Sequence, residues 1–251
     1  MTFEYHADLH IHTVLSACAE VEMIPPLIVD EARRKGLDII AITDHNTTEG
    51  AAAVIEAAAG EGESLLVLPG MELLTREEVD VLCLFETLDQ AQRWQAYVDD
   101  RLPHLENDAE HFGPQFVVDA EGDFVREDTR MRKMPATVGV EEAANEVHAL
   151  GGLVIPAHIE RTVYGLMYVL GLWPTGLETD AVEVSHNLRP SVARERFPTL
   201  PADMPIITNS DAHFLSWIGT VSTIFVLKKA PTVEELRLAL QGVGERRVYV
   251  P

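Results

Sequence analysis

Short apolar runs alternate with helix-forming stretches along almost the whole chain of 251 residues. Residues 5–12 read as a strand. Residues 25–35 read as a helix, opened by Pro25 and Pro26 and stopped by Gly36. Residues 38–43 make a short buried strand, 48–59 an alanine-rich helix, 65–68 and 79–85 two more strands, and 91–101 a helix. Past residue 138 the rhythm resumes: helix 140–150, strand 153–157, helix 163–171, strand 181–185, helix 190–196, strands 205–209 and 221–227, helix 232–241. Such alternation predicts an α/β fold with a parallel sheet, closed into a barrel or left open and doubly wound. No Gly-x-Gly-x-x-Gly follows the first strand, which removes the main signal for a nucleotide cofactor.

Residues 103–138 break the rhythm. They are charged and carry Gly113-Pro114 and Glu121-Gly122-Asp123, with runs at 115–118 and 124–125 placed to form a hairpin. We read them as an insertion within a single domain spanning 1–251 and not as a second domain. No apolar run approaches the ~20 residues that span a bilayer. Nor does a basic stretch followed by an apolar one open the chain, so no membrane association and no signal peptide are expected. With only Cys18 and Cys83, a disulfide framework is not expected and a cytoplasmic setting is the default. The formal net charge of −22 repels polyphosphate backbones, which disfavours nucleic acid as a partner. A phosphate-handling site on such a surface needs local positive charge, and metal ions are its obvious source.

Polar residues gather where the strands end. Asp8-Leu9-His10-Ile11-His12 closes the first strand, and residues two apart on a strand share a face, so His10 and His12 can reach one ion together. Thr43-Asp44-His45 closes the second, Glu72 follows the third, and Asp80 begins the fourth. His158 ends 154–157, and Asp211 and His213 end the strand after Pro205. Taken singly, each residue has an ordinary explanation, such as a turn cap, a solvated acid or a satisfied histidine. Together they collect at one end of a barrel, where catalytic groups of such folds sit. Buried carboxylates without metal would repel one another and buried imidazoles would lack partners. Imidazole with carboxylate suits zinc, iron or manganese.

These residues resemble the PHP family, named for polymerase and histidinol phosphatase. The motifs are Asp8-Leu9-His10-Ile11-His12-Thr13, Ile42-Thr43-Asp44-His45-Asn46, Gly70-Met71-Glu72, Pro156-Ala157-His158 and Ser210-Asp211-Ala212-His213, in that order. The resemblance implies a distorted (β/α)7 barrel and two or three divalent ions. It further implies that His10, His12, Glu72 and Asp211 hold the first ion, that Glu72 bridges to a second also held by His158, and that His45 and His213 hold a third. Two positions depart from the pattern: Asp80 stands where a family histidine serves the second ion, and Ala17-Cys18 stand where members carry Asp or His for the third. Both substitutes can bind metal, carboxylate preferring hard ions and thiolate soft ones. The competing reading of Cys18 is a small packed residue.

The implied activity is hydrolysis of a small-molecule phosphate ester. His45, His213 and Asp211 are the candidate catalytic groups, with either histidine placed to protonate the leaving oxygen. Arg161 is a candidate bidentate phosphate contact, and His186, which ends residues 181–185, a candidate substrate contact. One rival is an amidohydrolase-like metallohydrolase; the absence of any lysine between Lys35 and Lys133 argues against a carbamylated-lysine site. Another is a non-catalytic metal-binding module, which ligand-capable Asp80 and Cys18 argue against.

Overall fold

The computed structural model describes residues 1–60 and 64–251. In chain order the elements are β1 (Phe3–Ile11), α1 (Pro25–Arg34), β2 (Ile39–Ile42), α2 (Gly50–Ala58), β3 (Leu66–Leu74) and β4 (Asp80–Leu84). Then come α3 (Leu88–Asp99), α4 (Ala109–Phe112), β5 (Phe116–Val118), β6 (Phe124–Glu127), α5 (Val140–Ala149) and β7 (Leu153–Pro156). The last are α6 (Leu166–Val169), β8 (Val182–Val184), α7 (Pro190–Arg196), β9 (Ile206–Thr208), β10 (Thr223–Leu227), α8 (Val233–Leu240) and β11 (Arg247–Tyr249). Local chemistry sets several boundaries. Pro occupies the first turn of α1, Thr87 and Gln90 form a reciprocal cap on α3, and the Thr232 side chain accepts from Glu235 N at the start of α8.

Seven strands form one curled sheet in the order β11-β10-β1-β2-β3-β4-β7, and β8 pairs with β9 separately. The expected all-parallel sheet is corrected. Only β1–β2–β3 and the β8–β9 pair run parallel; β3–β4, β4–β7, β1–β10 and β10–β11 are antiparallel. The reason is loop length: β3 turns into β4 through residues 75–79, too few for the crossover helix that a parallel neighbour needs. β8–β9 bridges β7, at one end of the sheet, and the carboxyl end of β1. Asp180 N donates to Val154 O and Ile159 N to Glu183 O on the β7 side, while Ala212 N donates to His10 O and His12 N to Ala212 O on the β1 side.

β3 is also longer than the apolar run at 65–68. It continues through Pro69 and Gly70, so Glu72 lies inside the strand opposite Leu82 and not after it. Gly70 permits this, because a β-carbon there would stand 2.8 Å from Leu84 Cδ2 and 3.1 Å from Ile42 O. The helix expected over 163–171 shrinks to α6: Tyr164 is left-handed (φ 63°), holding the preceding residues in a turn. The hairpin expected between 115 and 125 is present as β5–β6, paired as far as Phe116 with Glu127. Short α4 and β11 carried no periodic signal to announce them.

Ala7, Leu9, Ile39, Ala41, Leu68, Leu82, Leu84, Leu153, Ile155, Ala181 and Ile207 pack together on the concave side of the sheet. Their strand neighbours Ile40, Ile42 and Val67, and Val81, Cys83 and Val154, belong to clusters on the other face, beneath the helices. This two-sided burial explains why the strands read as continuous apolar runs.

Candidate metal centre

The concave apolar layer gives way abruptly to ionisable side chains. On β4, Leu82 and Leu84 point inward, and so by alternation does Asp80; on β3, Leu68 does, and so does Glu72. On β1 the register against β2 slips between Asp8 and Ile11, one extra residue on the β1 side. The bulge changes the strand's parity: Ala7 and Leu9 are inner residues, Ile11 an outer one, and His10 and His12 therefore both face inward. His158 and Asp211 reach the same space from strand ends with left-handed backbones, φ 29° and 52°. Asn46 (φ 50°), next to His45, and Tyr164 are left-handed too. Such conformations cost about 1–3 kcal/mol each at non-glycine residues and persist where surrounding structure enforces them.

The side chains converge tightly. His10 Nε2 lies 3.2 Å from Glu72 Oε1, 3.3 Å from Asp211 Oδ1 and 3.2 Å from His12 Nε2. His12 Nε2 is 3.2 Å from Asp211 Oδ1, His158 Nε2 is 3.1 Å from Glu72 Oε1 and 3.6 Å from Asp80 Oδ2, and His45 Nδ1 is 2.9 Å from Glu72 Oε2. Three sets, two of them sharing His12, bring ligand atoms within 4.8 Å of one another: His10, His12 and Asp211; Glu72, Asp80 and His158; His12, His45 and His213. Cys18 Sγ lies 3.2 Å from His45 Nε2, at the edge of the third set. Glu72 touches all three.

The hydrogen-bond partners behind these groups fit metal ligation. Ser16 Oγ donates its single proton to Asp44 Oδ1 (2.7 Å), so the 3.0 Å contact with His12 Nδ1 requires that nitrogen to donate. His10 Nδ1 faces both oxygens of Glu183 at 3.2 and 3.1 Å and must likewise carry hydrogen. Neutral His10 and His12 therefore aim bare Nε2 lone pairs at each other and at carboxylate oxygens. That array of acceptors is repulsive unless a proton or a cation sits within it. Glu72 Oε2 is buried among these imidazoles with no hydrogen bond of good geometry, which suits an oxygen that ligates a cation.

Electrostatics tell the same story. Burial works against the charge on His10, yet the carboxylates of Glu183, Asp211 and Glu72 raise its pKa well above the ordinary imidazole value. Burial, together with His213 and His45, pushes His12 well below it. Burial and the charge of Glu72 raise Asp80 to about 7. Burial would raise the Cys18 thiol, but hydrogen bonds with His213 and His45 bring it down to about 5. Cys83, buried with no such partners, is pushed far up.

Of the residues singled out from sequence, His10, His12, Cys18, His45, Glu72, Asp80, His158, Arg161, Asp211 and His213 all meet here. Arg161 Nη1 pairs with Asp211 Oδ2 at 2.7 Å. The mouth is a pocket of about 210 Å³ that also includes Lys133, Val163 and Tyr164. His186 stands apart. It lines a larger cavity of about 600 Å³ against α7 and β11, next to Trp217 and among no ligand set, so the substrate contact expected of it is not supported by its position.

Residues given no role at the site by the sequence reading, Asp8 and Asp44 of the quoted motifs and Glu183, form the support. Glu183 binds His10, His158 N (3.0 Å) and Asn209 Nδ2 (2.8 Å). Asp44 accepts from Thr13 N, Thr13 Oγ1 and Ser16 Oγ. Asp8 accepts from Ser210 N and Gly219 N. Glu183 had a signal: one acid between Val182 and Val184 in a run otherwise buried on both faces.

A family model described as PHP domain matches residues 8–162. An uncharacterized protein of Bacillus subtilis strain 168, YqxK, is 24% identical over 97% of this chain and 63% of its own length. Among solved structures, the lesion-specific endonuclease PfuEndoQ from Pyrococcus furiosus shares 21% identity at a TM-score of 0.70, covering 98% of this chain and 58% of that one. Endonuclease Q in complex with a 27-mer duplex bearing an abasic lesion at the active site gives a TM-score of 0.73 at 20% identity, with the same coverage. The chain thus spans about three fifths of each of these relatives. The last structure corrects the expectation that the charge disfavours nucleic acid: a protein of this fold holds a DNA duplex at its active site. A net charge of −22 is a sum over the whole surface, whereas a phosphate at the pocket meets the local field of any bound ions, Arg161 and Lys133.

Proposed function

The chain belongs to the PHP family, and on that premise we propose that it is a metal-dependent hydrolase of phosphoester bonds. The observation that carries the reading is the inward-facing array of imidazole nitrogens and carboxylate oxygens around Glu72, which bound cations would satisfy at every ligand set together. His10, His12 and Asp211 would hold one ion; Glu72, Asp80 and His158 a second; His45 and His213, with Cys18 beside them, a third. The barrel in this reading is the seven-membered ring of β1, β2, β3, β4, β7, β8 and β9, a distorted relative of the (β/α)7 pattern.

When bound, divalent ions supply the Lewis acidity and positive charge that a phosphoryl transition state requires. The chain's own groups do the rest. Glu183 and Ser16 fix the ring orientations of His10 and His12. Arg161, anchored through Nη1, keeps its remaining N–H groups for a phosphoryl oxygen. With only the first two ions bound, His213 would be the better-placed proton donor to a leaving oxygen, because its side chain is 16% exposed against 8% for His45. Both rings have partners, His45 in Glu72 and Cys18 and His213 in Asp211 O and Cys18, so exposure is what separates them.

The substrate class includes nucleotides and nucleic acid, in keeping with the endonuclease Q likeness. The test is turnover by Mn²⁺-loaded protein of p-nitrophenyl phosphate, bis-p-nitrophenyl phosphate, a nucleotide panel and an abasic-site duplex, with amides and lactones as controls. Release of phosphate or strand scission that EDTA abolishes and Mn²⁺ restores supports the reading. Turnover of amides or lactones alone would replace it with the amidohydrolase alternative.

A further inference from the structure

Among the described residues, Lys133 lines the pocket mouth without a direct ion pair to any carboxylate, while sensing the charges of Cys18, Glu72 and Asp80. In a chain of 41 acidic and 19 basic residues, most arginines and lysines near the surface find a carboxylate. Among the described residues no carboxylate oxygen comes within 4.0 Å of the Lys133 ammonium; its one hydrogen-bond contact is Cys18 Sγ at 3.8 Å. Arg161, its counterpart across the pocket, is by contrast already paired with Asp211.

The backbone carrying Lys133 is fastened on both sides. Asn46, next to the candidate ligand His45, donates from Nδ2 to Arg132 O at 2.6 Å and to Met134 O at 2.8 Å, straddling Lys133. Its Oδ1 accepts from Leu74 N at 2.9 Å, tying the clamp to β3, the strand of Glu72. Arg132 is buried and held by Asp128 (2.6 Å) and Asp99 (2.7 Å), and its amide donates to Gln115 Oε1. Gln115 in turn donates from Nε2 to Asp128 O, binding the β5–β6 segment to itself. Phe116 N donates to Val14 O, and Gly113 packs so closely on Ala17 O that a side chain would collide. The whole 103–138 segment is therefore fixed against the loop that carries Cys18. Its Lys133 side chain, in contact with Cys18 Sγ and paired with no carboxylate among the described residues, lines the pocket.

We propose that Lys133 is a substrate-contacting residue that receives a phosphoryl oxygen at this centre, and that Asn46 is the positioning residue that holds it there. The inference rests on the phosphoester reading above. An ammonium on a four-carbon stem acts as a movable point charge, suited to a dianionic phosphate in a pocket that also holds the carboxylates of Glu72, Asp80 and Asp211. The rule it implies is local: the insertion is the part of the chain that sets which phosphate is accepted.

The test uses full-length Mn²⁺-loaded protein and inorganic phosphate as probe, measured by calorimetry alongside metal content. Lys133→Met should weaken phosphate by about tenfold or more, the scale of one lost charge-assisted hydrogen bond, with metal content unchanged. Lys133→Arg should restore part of it. Asn46→Gly keeps the left-handed backbone while deleting the clamp. It should weaken phosphate less than Lys133→Met does, and add nothing in the Lys133→Met background. Equal phosphate affinity in wild type and Lys133→Met overturns the inference while leaving the phosphoesterase reading intact. An additive effect of Asn46→Gly overturns the clamp. Phosphate binding by neither protein, both metal-loaded, overturns the reading and the inference together.

Discussion

Asp80 and Leu82 lie two residues apart on the same inner face of β4, both buried, with opposite jobs. The same contrast recurs between Leu68 and Glu72 on β3 and between Ile155 and His158 at the end of β7. At one end of the strands the interior is close-packed aliphatic; at the other it is imidazole and carboxylate with no gain in exposure. Backbone strain follows the division. Of the five left-handed non-glycine residues described, His158, Tyr164 and Asp211, and Asn46 beside His45, stand at the ionisable end, and the fifth, Glu78, lies in the exposed β3–β4 turn. The apolar end supplies the stability that lets the other end hold like charges and unpaired lone pairs together.

Mutations at the two ends should therefore fail in different ways. The largest effect is expected on activity: His158→Ala or Asp211→Ala should each lower phosphoester turnover by about 10²-fold or more. Steady-state kinetics at saturating Mn²⁺ checks this, and near-wild-type turnover in either variant would remove that residue from the centre. Leu82→Ala, two residues from Asp80, should instead cost about 2–5 kcal/mol of unfolding free energy in urea. It should leave the metal content of the folded protein as it was; loss of metal there would erase the boundary between the two ends.

Glu183→Gln probes the seam. Removing the charge behind His10 should weaken metal binding by about 10–100-fold, read by competition with a chelator, with unfolding free energy little changed or improved without metal. The smallest effect is a rate. With Cys83→Ser as background, thiol labelling of Cys18 should quicken once metal is chelated, because a ligand thiolate is masked by its ion. A labelling rate indifferent to chelator would leave Cys18 out of the ligand set.

Much of the ionisable end was legible in the sequence because it depends on strand ends, and apolar runs mark those plainly. His10, His12, His45, His158, Asp211 and His213 follow from that rule alone. What was hidden depends on pairing. That Glu72 lies within a strand, and that β3 and β4 run antiparallel, follows from a five-residue turn whose consequence appears only once strands are laid side by side. Glu183 and Lys133 reach the centre from β8 and from the 103–138 segment, contacts set by tertiary closure and not by local periodicity. His186 shows the converse: it ends a strand as the others do, yet its side chain faces another cavity.

The most direct test of the centre is elemental analysis of purified protein reconstituted with Mn²⁺, Fe²⁺ or Zn²⁺ and freed of excess metal. Three ligand sets, two of them sharing His12 and all of them in contact with Glu72, predict about two or more ions per chain. The count should fall in His158→Ala and Asp211→Ala but not in Leu82→Ala. Fewer than about one ion per wild-type chain after reconstitution would contradict a multinuclear centre at this end of the sheet.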